Sequence, residues 1–482
     1  MTQAQALAIL KTGVNVFLTG EPGSGKTHTI NEYADFLRSR GVEPAITAST
    51  GIAATHLGGM TVHSWSGIGI KTRLDRYELD RIASSEYIFK RVRRAKVLII
   101  DEVSMLLAGT LAMVDAVCRE IKQSQEPFGG LQIVLVGDFF QLPPVVKTMI
   151  EENAQIALME EAPARFAYES PVWKRANFMT CYLTEQYRQD DRDFLAILSA
   201  IRHDVFNNEH RRHLETRKIA GQAVPANAPK IFSHNLDVDR VNDEILAQLP
   251  GKLKTFAMTA RGPAGLVAML KKGCLSPESL CLKVGAAVMF TKNNLKDGFV
   301  NGTLGIVEGF DKQNGSPIIE TRSGQRIIVE PMDWNVEENG RIRARLTQRP
   351  LRLAWAITVH KSQGISLDEA VMDLSQVFEF GQGYVALSRV RRLAGLYLLG
   401  WNERAFQVHP AVLAKDETFR LASSEAEIAF AKILAPELEK MHRDFLSAAG
   451  GSKPESASTR EFGASRKKKK KRHSRKFYDW RF

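Results

Sequence analysis

Residues Gly20 to Thr27 read GEPGSGKT, a match to G-x-x-x-x-G-K-[ST]. Gly20, Gly23, Ser24 and Gly25 leave room for backbone N–H groups to converge on a phosphate at a helix N-terminus. Lys26 is spaced to reach β- and γ-phosphates, and Thr27 to offer its hydroxyl to Mg²⁺. Further along, Asp101-Glu102 follow the apolar run VLII. There Asp101 would hold Mg²⁺ directly or through water, and Glu102 would orient or deprotonate an attacking water. GDFFQLPP (137–144) follows the next apolar run, and the Gln141 amide can touch both a γ-phosphate and that water. Taken singly, Asp101-Glu102 reads equally as an acidic turn and Gln141 as an ordinary loop glutamine, whereas a chance glycine turn is a poor account of GEPGSGKT. In order, each at the end of an apolar run, they describe nucleotide hydrolysis with ATP and Mg²⁺ at the carboxyl ends of parallel strands. Two arginines lie outside this segment, Arg188 in EQYRQ and Arg389 in YVALSRVR. Either one alone reads equally well as a surface ion pair. Delivered across a cleft, either could neutralise charge on a transferring phosphoryl group.

The elements that must position these groups are short. VFLT (16–19), AITA (45–48), VLII (97–100) and IVLV (133–136) are four-residue, partly β-branched apolar runs between helical patterns, as in a buried parallel sheet. They predict a first α/β core over 1–185, with a small wedge-type insertion near 56–80. The alternation returns at KIFS (230–233), LAWAIT (353–358) and LYLLG (396–400), predicting a second core over 186–255 plus 350–412. Between them, 256–349 reads as an all-β insertion. Its pairs Asn301-Gly302 and Asn314-Gly315 mark hairpins, because both residue types tolerate positive φ. Ser424-Glu425-Ala426-Glu427 forms a capping-box pattern ahead of Ile428, Phe430, Ile433 and Leu434. It predicts a helix within a C-terminal helical segment, 413–449.

The chain has 482 residues, 44% hydrophobic and 25% charged, which excludes a disordered or fibrous protein. No uncharged apolar run approaches the ~18–20 residues of a membrane span. The N-terminal MTQAQALAIL lacks the features of a signal peptide. Cys118, Cys181, Cys274 and Cys281 are far apart, which argues against a disulfide scaffold or a zinc site and suits a reducing cytosol. The net charge is +12, but residues 452–482 alone hold 12 Lys/Arg and 3 Asp/Glu. That leaves only +3 for the rest. The tail reads as disordered, with two uses open: nonspecific attraction to nucleic acid, or docking on a protein partner through FYDWRF (477–482).

Together the motifs resemble the Pif-one family of superfamily-one, subclass B, DNA helicases, with RecD-like relatives. The resemblance runs in order over about residues 3–400. Gln3 resembles the family's adenine-reading glutamine. GEPGSGKT resembles motif I, TASTGIAA (47–54) Ia, VHSW (62–65) Ib, DEVSM (101–105) II and GDFFQLPP III. QYRQ (186–189), TVHKSQGIS (358–366) and YVALSRVR (384–391) resemble IV, V and VI. The segment EPFGGLQIVLVGDFFQLPPV (126–145) looks like the family signature, and KVGAAVMFTKN (283–293) with FVNGTLG (299–305) like its entry to the β domain.

The resemblance implies an α/β fold of two RecA-like P-loop cores, with a small wedge in the first and an SH3-like insertion in the second. It implies ATP in the cleft between cores, with Gln363 and Gly364 beside it and Arg188 and Arg389 as arginine fingers. It also implies 5′→3′ travel on single-stranded DNA and unwinding of forked or structured DNA, in a bacterial- or phage-type cytoplasm rather than a nucleus. Candidate phosphate contacts are Thr47, Ser49, Thr50, Lys292, Asn293, His360, Lys361 and Ser362. His63 and Trp65 offer rings for a base, although Trp65 reads equally as a core residue. About five neutralised phosphates would give a single-strand salt slope of about −3 to −4. His28, where many relatives have Ser or Thr, is given no role. Two other readings remain: an RNA-directed or complex-embedded RecD-like translocase, and an ATP-gated DNA-binding protein.

Overall fold

A computed structural model describes residues 1–451 except 58, 70, 145–163, 187–190, 220–227, 233–237, 295, 339–340, 360–361 and 364. Arg188, His360, Lys361, Gly364 and the tail 452–482 therefore lie outside the described residues.

The first core is a six-stranded sheet. Its strands are β1 (Val16–Gly20), β2 (Ala45–Ala48), β3 (Met60–Thr61), β4 (Val97–Asp101), β5 (Gln132–Val136) and β6 (Met179–Leu183). Their order is β3-β2-β4-β5-β1-β6, and every pairing is parallel. All of β1 and β5 is buried, as expected for strands covered on both faces. One consequence fixes the site. β4, β5 and β1 are neighbours, so the segments leaving their carboxyl ends (Asp101-Glu102, Gly137–Gln141 and the glycine loop) lie side by side. β6, which brings the chain back beside β1, was not anticipated from the sequence.

The second core is a four-stranded parallel sheet in the order Ala356–Thr358, Lys230–Phe232, Ala370–Leu374, Leu396–Trp401. The run LAWAIT, read as one strand, is divided. Leu351–Leu353 pairs antiparallel in the insertion, whereas Ala356–Thr358 joins the core. Both halves are apolar because both are buried, so hydropathy could not show the break.

The insertion holds a five-stranded antiparallel sheet, Arg326–Ile328, Pro317–Thr321, Leu304–Phe310, Ala287–Phe290, Leu351–Leu353. Beside it lie a three-stranded and a two-stranded sheet. It is not all-β: Ala264–Gly273 is a helix that packs against the short helix Gly51–His56 of the first core. In the two Asn-Gly turns only the glycines take positive φ, at +94° and +73°.

Two helices close the described chain, Pro410–Ala431 and Ala435–Ala448. The capping-box pattern at Ser424 does not start a helix; those residues lie inside the first of the two. That helix begins at Pro410, whose missing N–H costs nothing in a first turn, with the His409 ring accepting from the Ala411 N–H. Leu434 is the N-cap of the second helix and is exposed. The longer helix lies on β6, where Ser423 Oγ accepts from the Tyr182 N–H at 2.9 Å and Phe419 meets Phe17 of β1, centroids 4.9 Å apart. All four cysteines are free. No described helix is long and apolar enough to cross a membrane.

Candidate nucleotide site and nucleic-acid groove

Helix α2 (Lys26–Arg38) starts directly from the glycine loop. Gly25 caps it at φ +86°, and a Cβ there would sit 1.8 Å from Gln3 Nε2, so both backbone and space require glycine. Gln3 belongs to helix α1 (Gln3–Leu10) and donates from Nε2 to the Ser24 carbonyl at 3.2 Å. Its amide therefore stands against the phosphate loop. Lys26 folds onto its own loop, donating to the carbonyls of Gly20 (2.7 Å) and Glu21 (2.9 Å). The Ser24 hydroxyl is buried and has no protein partner, which fits a loop shaped for an anion.

Asp101 and Glu102 sit across from this lysine. Burial pushes both carboxyls above the usual carboxylate range, and for Glu102 the charge of Asp101 adds to it, while Lys26 opposes the rise in both. Two carboxylates held together in a half-dry site are a donor set that suits a divalent cation. With the Thr27 hydroxyl, Asp101 would hold Mg²⁺. Glu102 adopts a left-handed backbone, φ +54°, unusual for a residue with a Cβ. Ser49 braces that turn: its N–H donates to the Asp101 carbonyl at 3.0 Å and its hydroxyl to the Glu102 carbonyl at 2.7 Å.

The second core supplies the facing wall. Gln363 donates from Nε2 to Glu102 Oε2 at 3.1 Å and lies 3.5 Å from Gln141 Oε1, so its amide spans both groups of the first core. Arg389 follows the buried helix Gln382–Leu387 and is 1% exposed. Its guanidinium donates to the Val385 and Ser362 carbonyls and to Ser388 Oγ. It nevertheless lines the same cleft, of ≈ 1130 Å³, as Gly23, Lys26, Thr27, Glu102 and Gln141. Gly381, at φ +75°, starts that helix. A Cβ there would lie 2.5 Å from the Phe140 carbonyl oxygen, so the two cores touch backbone to backbone beside Gln141. His28 points outward beside Glu32.

The residues offered for DNA contact fare unevenly. Thr47 is fully buried and its hydroxyl donates to the Ile99 carbonyl at 2.7 Å, so it braces the sheet instead. Ser362 is likewise buried, its hydroxyl donating to the Val359 carbonyl at 2.7 Å. Ser49 is committed to the Glu102 turn, as above. Trp65 is a core residue, 2% exposed, not a platform. Lys292 is half-buried, donates to the Asp333 carbonyl and lies over the Trp334 ring, and burial lowers its pKa. Asn293 is exposed and accepts from the Asn301 N–H. Thr50 is half-buried, with its hydroxyl accepting from the Ala53 N–H.

His63 does reach an open groove. A cavity of ≈ 660 Å³ between the first core and the insertion helix is lined by His63, Ser64, Thr72, Arg165, Met269 and Lys272. Burial lowers the His63 pKa, favouring the neutral ring. Lys272 and Thr72 went unnoticed in the sequence, since neither stands in a motif.

A buried polar cluster was also missed. Arg202, 1% exposed, donates to both carboxylate oxygens of Asp138 at 2.8 and 2.9 Å, and to the hydroxyls of Tyr182 (2.7 Å) and Tyr384 (3.3 Å). Its guanidinium also stacks 4.0 Å from the Phe140 ring. A signal existed. In the helix Arg192–Arg202, Phe194, Ile197, Leu198 and Ile201 mark the apolar stripe, and Arg202 falls on it at i+8.

Comparison with known proteins places these features in one setting. A family model for PIF1-like helicase matches residues 2–209, and one for the 2B domain of DNA helicase Pif1 matches 266–310. The chain is 41% identical to the ATP-dependent DNA helicase Pif1 of Psychrobacter sp. (strain PRwf-1), covering 94% of this chain and 76% of that protein. Among solved structures, Bacteroides sp Pif1 in complex with ADP-AlF4 is similar with TM-score 0.75 and 30% identity, over 88% of this chain and 97% of that one. Bacteroides Pif1 bound to ssDNA is similar with TM-score 0.59 and 31% identity over the same shares. Unliganded Pif1 from Bacteroides sp is similar with TM-score 0.74 and 30% identity, over 87% of this chain and 96% of that one, so the structure here is nearer the unliganded and ADP-AlF4-bound proteins than the single-strand complex.

Proposed function

The chain belongs to the PIF1-like helicase family, and on that footing we propose that it is an ATP-driven DNA helicase that moves 5′→3′ on a single strand. The observation that carries the reading is the divided cleft. Lys26, Glu102 and Gln141 stand on one core, and Gln363 and Arg389 on the other. Neither core alone can surround a γ-phosphate, so hydrolysis requires closure and its products release it.

Lys26 would leave its own loop carbonyls for the phosphates, and Ser24 with the loop amides would complete their cradle. Gln3 would read the base beside the loop. Mg²⁺, held by Thr27 and Asp101, would neutralise charge on the phosphate oxygens. Glu102 would take up the proton of the attacking water, its ionised form favoured by Lys26 and Arg389. Arg389 would move from the Val385 and Ser362 carbonyls to the transferring group. The strand would run through the groove beneath the insertion helix, past His63, Thr72 and Lys272. Arg188, two residues after the cleft-lining Gln186 in sequence, is proposed as a second finger.

Strand displacement from 5′-tailed and 3′-tailed DNA duplexes and from a 5′-tailed RNA duplex tests the reading. Unwinding of the 5′-tailed DNA alone is expected. Unwinding of the RNA duplex would favour an RNA-directed motor. DNA binding without displacement of any duplex would leave an ATP-gated binding protein.

A further inference from the structure

The cations of the groove between the first core and the insertion helix differ in what already holds them. Among the described residues, its titratable lining is His63, Lys71, Arg165 and Lys272, with no carboxylate. Lys71 pairs with Glu78 of the same core. Arg165 instead pairs across the molecule: its Nη2 donates to Glu379 Oε2 of the second core at 2.7 Å. The same nitrogen donates to the Pro144 carbonyl at 3.3 Å.

Both ends of this bridge lead to the hydrolytic cleft. Pro144 closes GDFFQLPP, three residues after Gln141. Glu379 is set by the backbone around it. Its Oε1 accepts from the Phe380 N–H at 3.1 Å. Its carbonyl accepts from the N–H of Gln382 at 3.3 Å, the first residue of the helix Gln382–Leu387, which ends two residues before Arg389. Arg165 is fixed to the first core, since its neighbour Phe166 bridges to Leu107 on the groove wall. Behind the ion pair, the His409 ring stands T-shaped to Phe166 of the first core and Phe380 of the second, centroids 5.0 and 5.2 Å away. The seam is thus aromatic inside and ionic at its wet edge. Loss of the ion pair would loosen it without parting the cores.

The guanidinium cannot serve two anions at once. Its Nε is buried without a partner, and both of its bonds leave from Nη2. A phosphate gripped by two adjacent, accessible donors would use Nη1 together with Nη2, the nitrogen that now holds Glu379. The two side chains are 26% and 28% exposed, and an ion pair so open to water is weak enough to be exchanged.

We propose that Arg165 senses the strand: a backbone phosphate entering the groove takes its guanidinium from Glu379, which frees the helix Gln382–Leu387 to bring Arg389 onto the nucleotide. The proposal rests on the groove being the path of the single strand. It gives Arg165 two duties, a phosphate contact when DNA is bound and a restraint between the cores when it is not. Arg165 acts on hydrolysis only through Glu379, so it is a positioning residue for Arg389. The exchange also explains why the cation nearest the seam is the one tied to the other core: a residue that touches both the groove and the second core can report one to the other.

The test uses full-length protein carrying Arg165→Gln or Glu379→Gln, with an oligothymidylate as the probe. Both changes break the bridge, so each should raise ATPase without DNA about two- to fivefold, the range that a partly exposed ion pair commands. Affinity for oligothymidylate should separate them. Arg165→Gln loses the contact, so binding should weaken and the salt slope flatten by about 0.7, one phosphate on a single strand. Glu379→Gln removes the competitor, so binding should tighten about two- to fivefold. A pair that only holds the fold would move affinity the same way in both variants. Shifts of the same sign, or DNA-free turnover at the parent level in both, would overturn the proposal. Arg165→Lys keeps the charge and should return part of both values. If Arg165→Gln melts far below the parent, Glu379→Gln decides alone, and parent-level turnover and affinity there overturn the proposal. Strand displacement by the parent protein, run alongside, judges the helicase reading independently of these variants.

Discussion

At the residue scale, Lys26, Glu102, Gln141, Gln363 and Arg389, the groups proposed for the chemistry, come together around one cleft. Glu102→Gln keeps the shape of the turn but removes the proton acceptor. ATP and DNA binding should persist while single-turnover hydrolysis falls at least 100-fold, the usual scale of a general base. Turnover near that of the parent would remove Glu102 from the role. Arg389→Ala should also bind nucleotide, yet lose about 10³-fold or more in kcat, because transition-state charge then goes unmatched. A rise in KM with kcat intact would instead make Arg389 a ground-state contact. The sequence was least informative about hydroxyls. Thr47, Ser49 and Ser362 stand in nucleic-acid motifs, but each turns inward to a carbonyl. A hydroxyl's direction is set by the nearest unpaired backbone group, and no linear pattern displays that.

At the element scale, apolar runs located β1, β2, β4 and β5, because strands buried on both faces must be continuously apolar. The same rule failed at LAWAIT, where one apolar run serves two sheets. It also gave no warning of Ala264–Gly273, a helix inside a β insertion, or of β6. What joins these elements is polar. Arg202 ties the Asp138 loop to Tyr182 of β6 and to Tyr384 of the helix that leads to Arg389. Through Arg420 and Asp416, the long C-terminal helix reaches the same Tyr182 hydroxyl. Arg202→Met would strand a buried carboxylate and should cost about 3–5 kcal/mol. Thermal and urea melts would read the loss. Adding Asp138→Leu should restore part of it, and strict additivity of the two losses would show that the pair is not coupled.

At the scale of the whole molecule, the Arg389 guanidinium is still bound to its own core, and the structure is nearer the unliganded and the ADP-AlF4-bound Bacteroides proteins than the single-strand complex. DNA should therefore reorient the domains. With one dye on the first core and one on the β insertion, energy transfer should change when oligothymidylate is added without ATP. A constant signal at saturation would mean that the strand enters the arrangement described here unaltered. Composition could not foretell this, because the relative placement of cores depends on a few contacts such as Gly381 against Phe140.

The path of the chain also decides how such a motor can be handled. After the second core, the polypeptide returns to the first. The Met1 amine donates to the Tyr182 carbonyl, His442 reaches the Ala8 carbonyl, and Gly451 rests by Arg40 and Val42. Residues 1 and 451 therefore both sit on one body, the first core. An optical trap pulling between handles at those two points would load that body alone and register nothing as the cleft opens and shuts. A handle that senses the stroke has to be grafted onto the other core, and a surface anchor at residue 451 leaves that core free to swing.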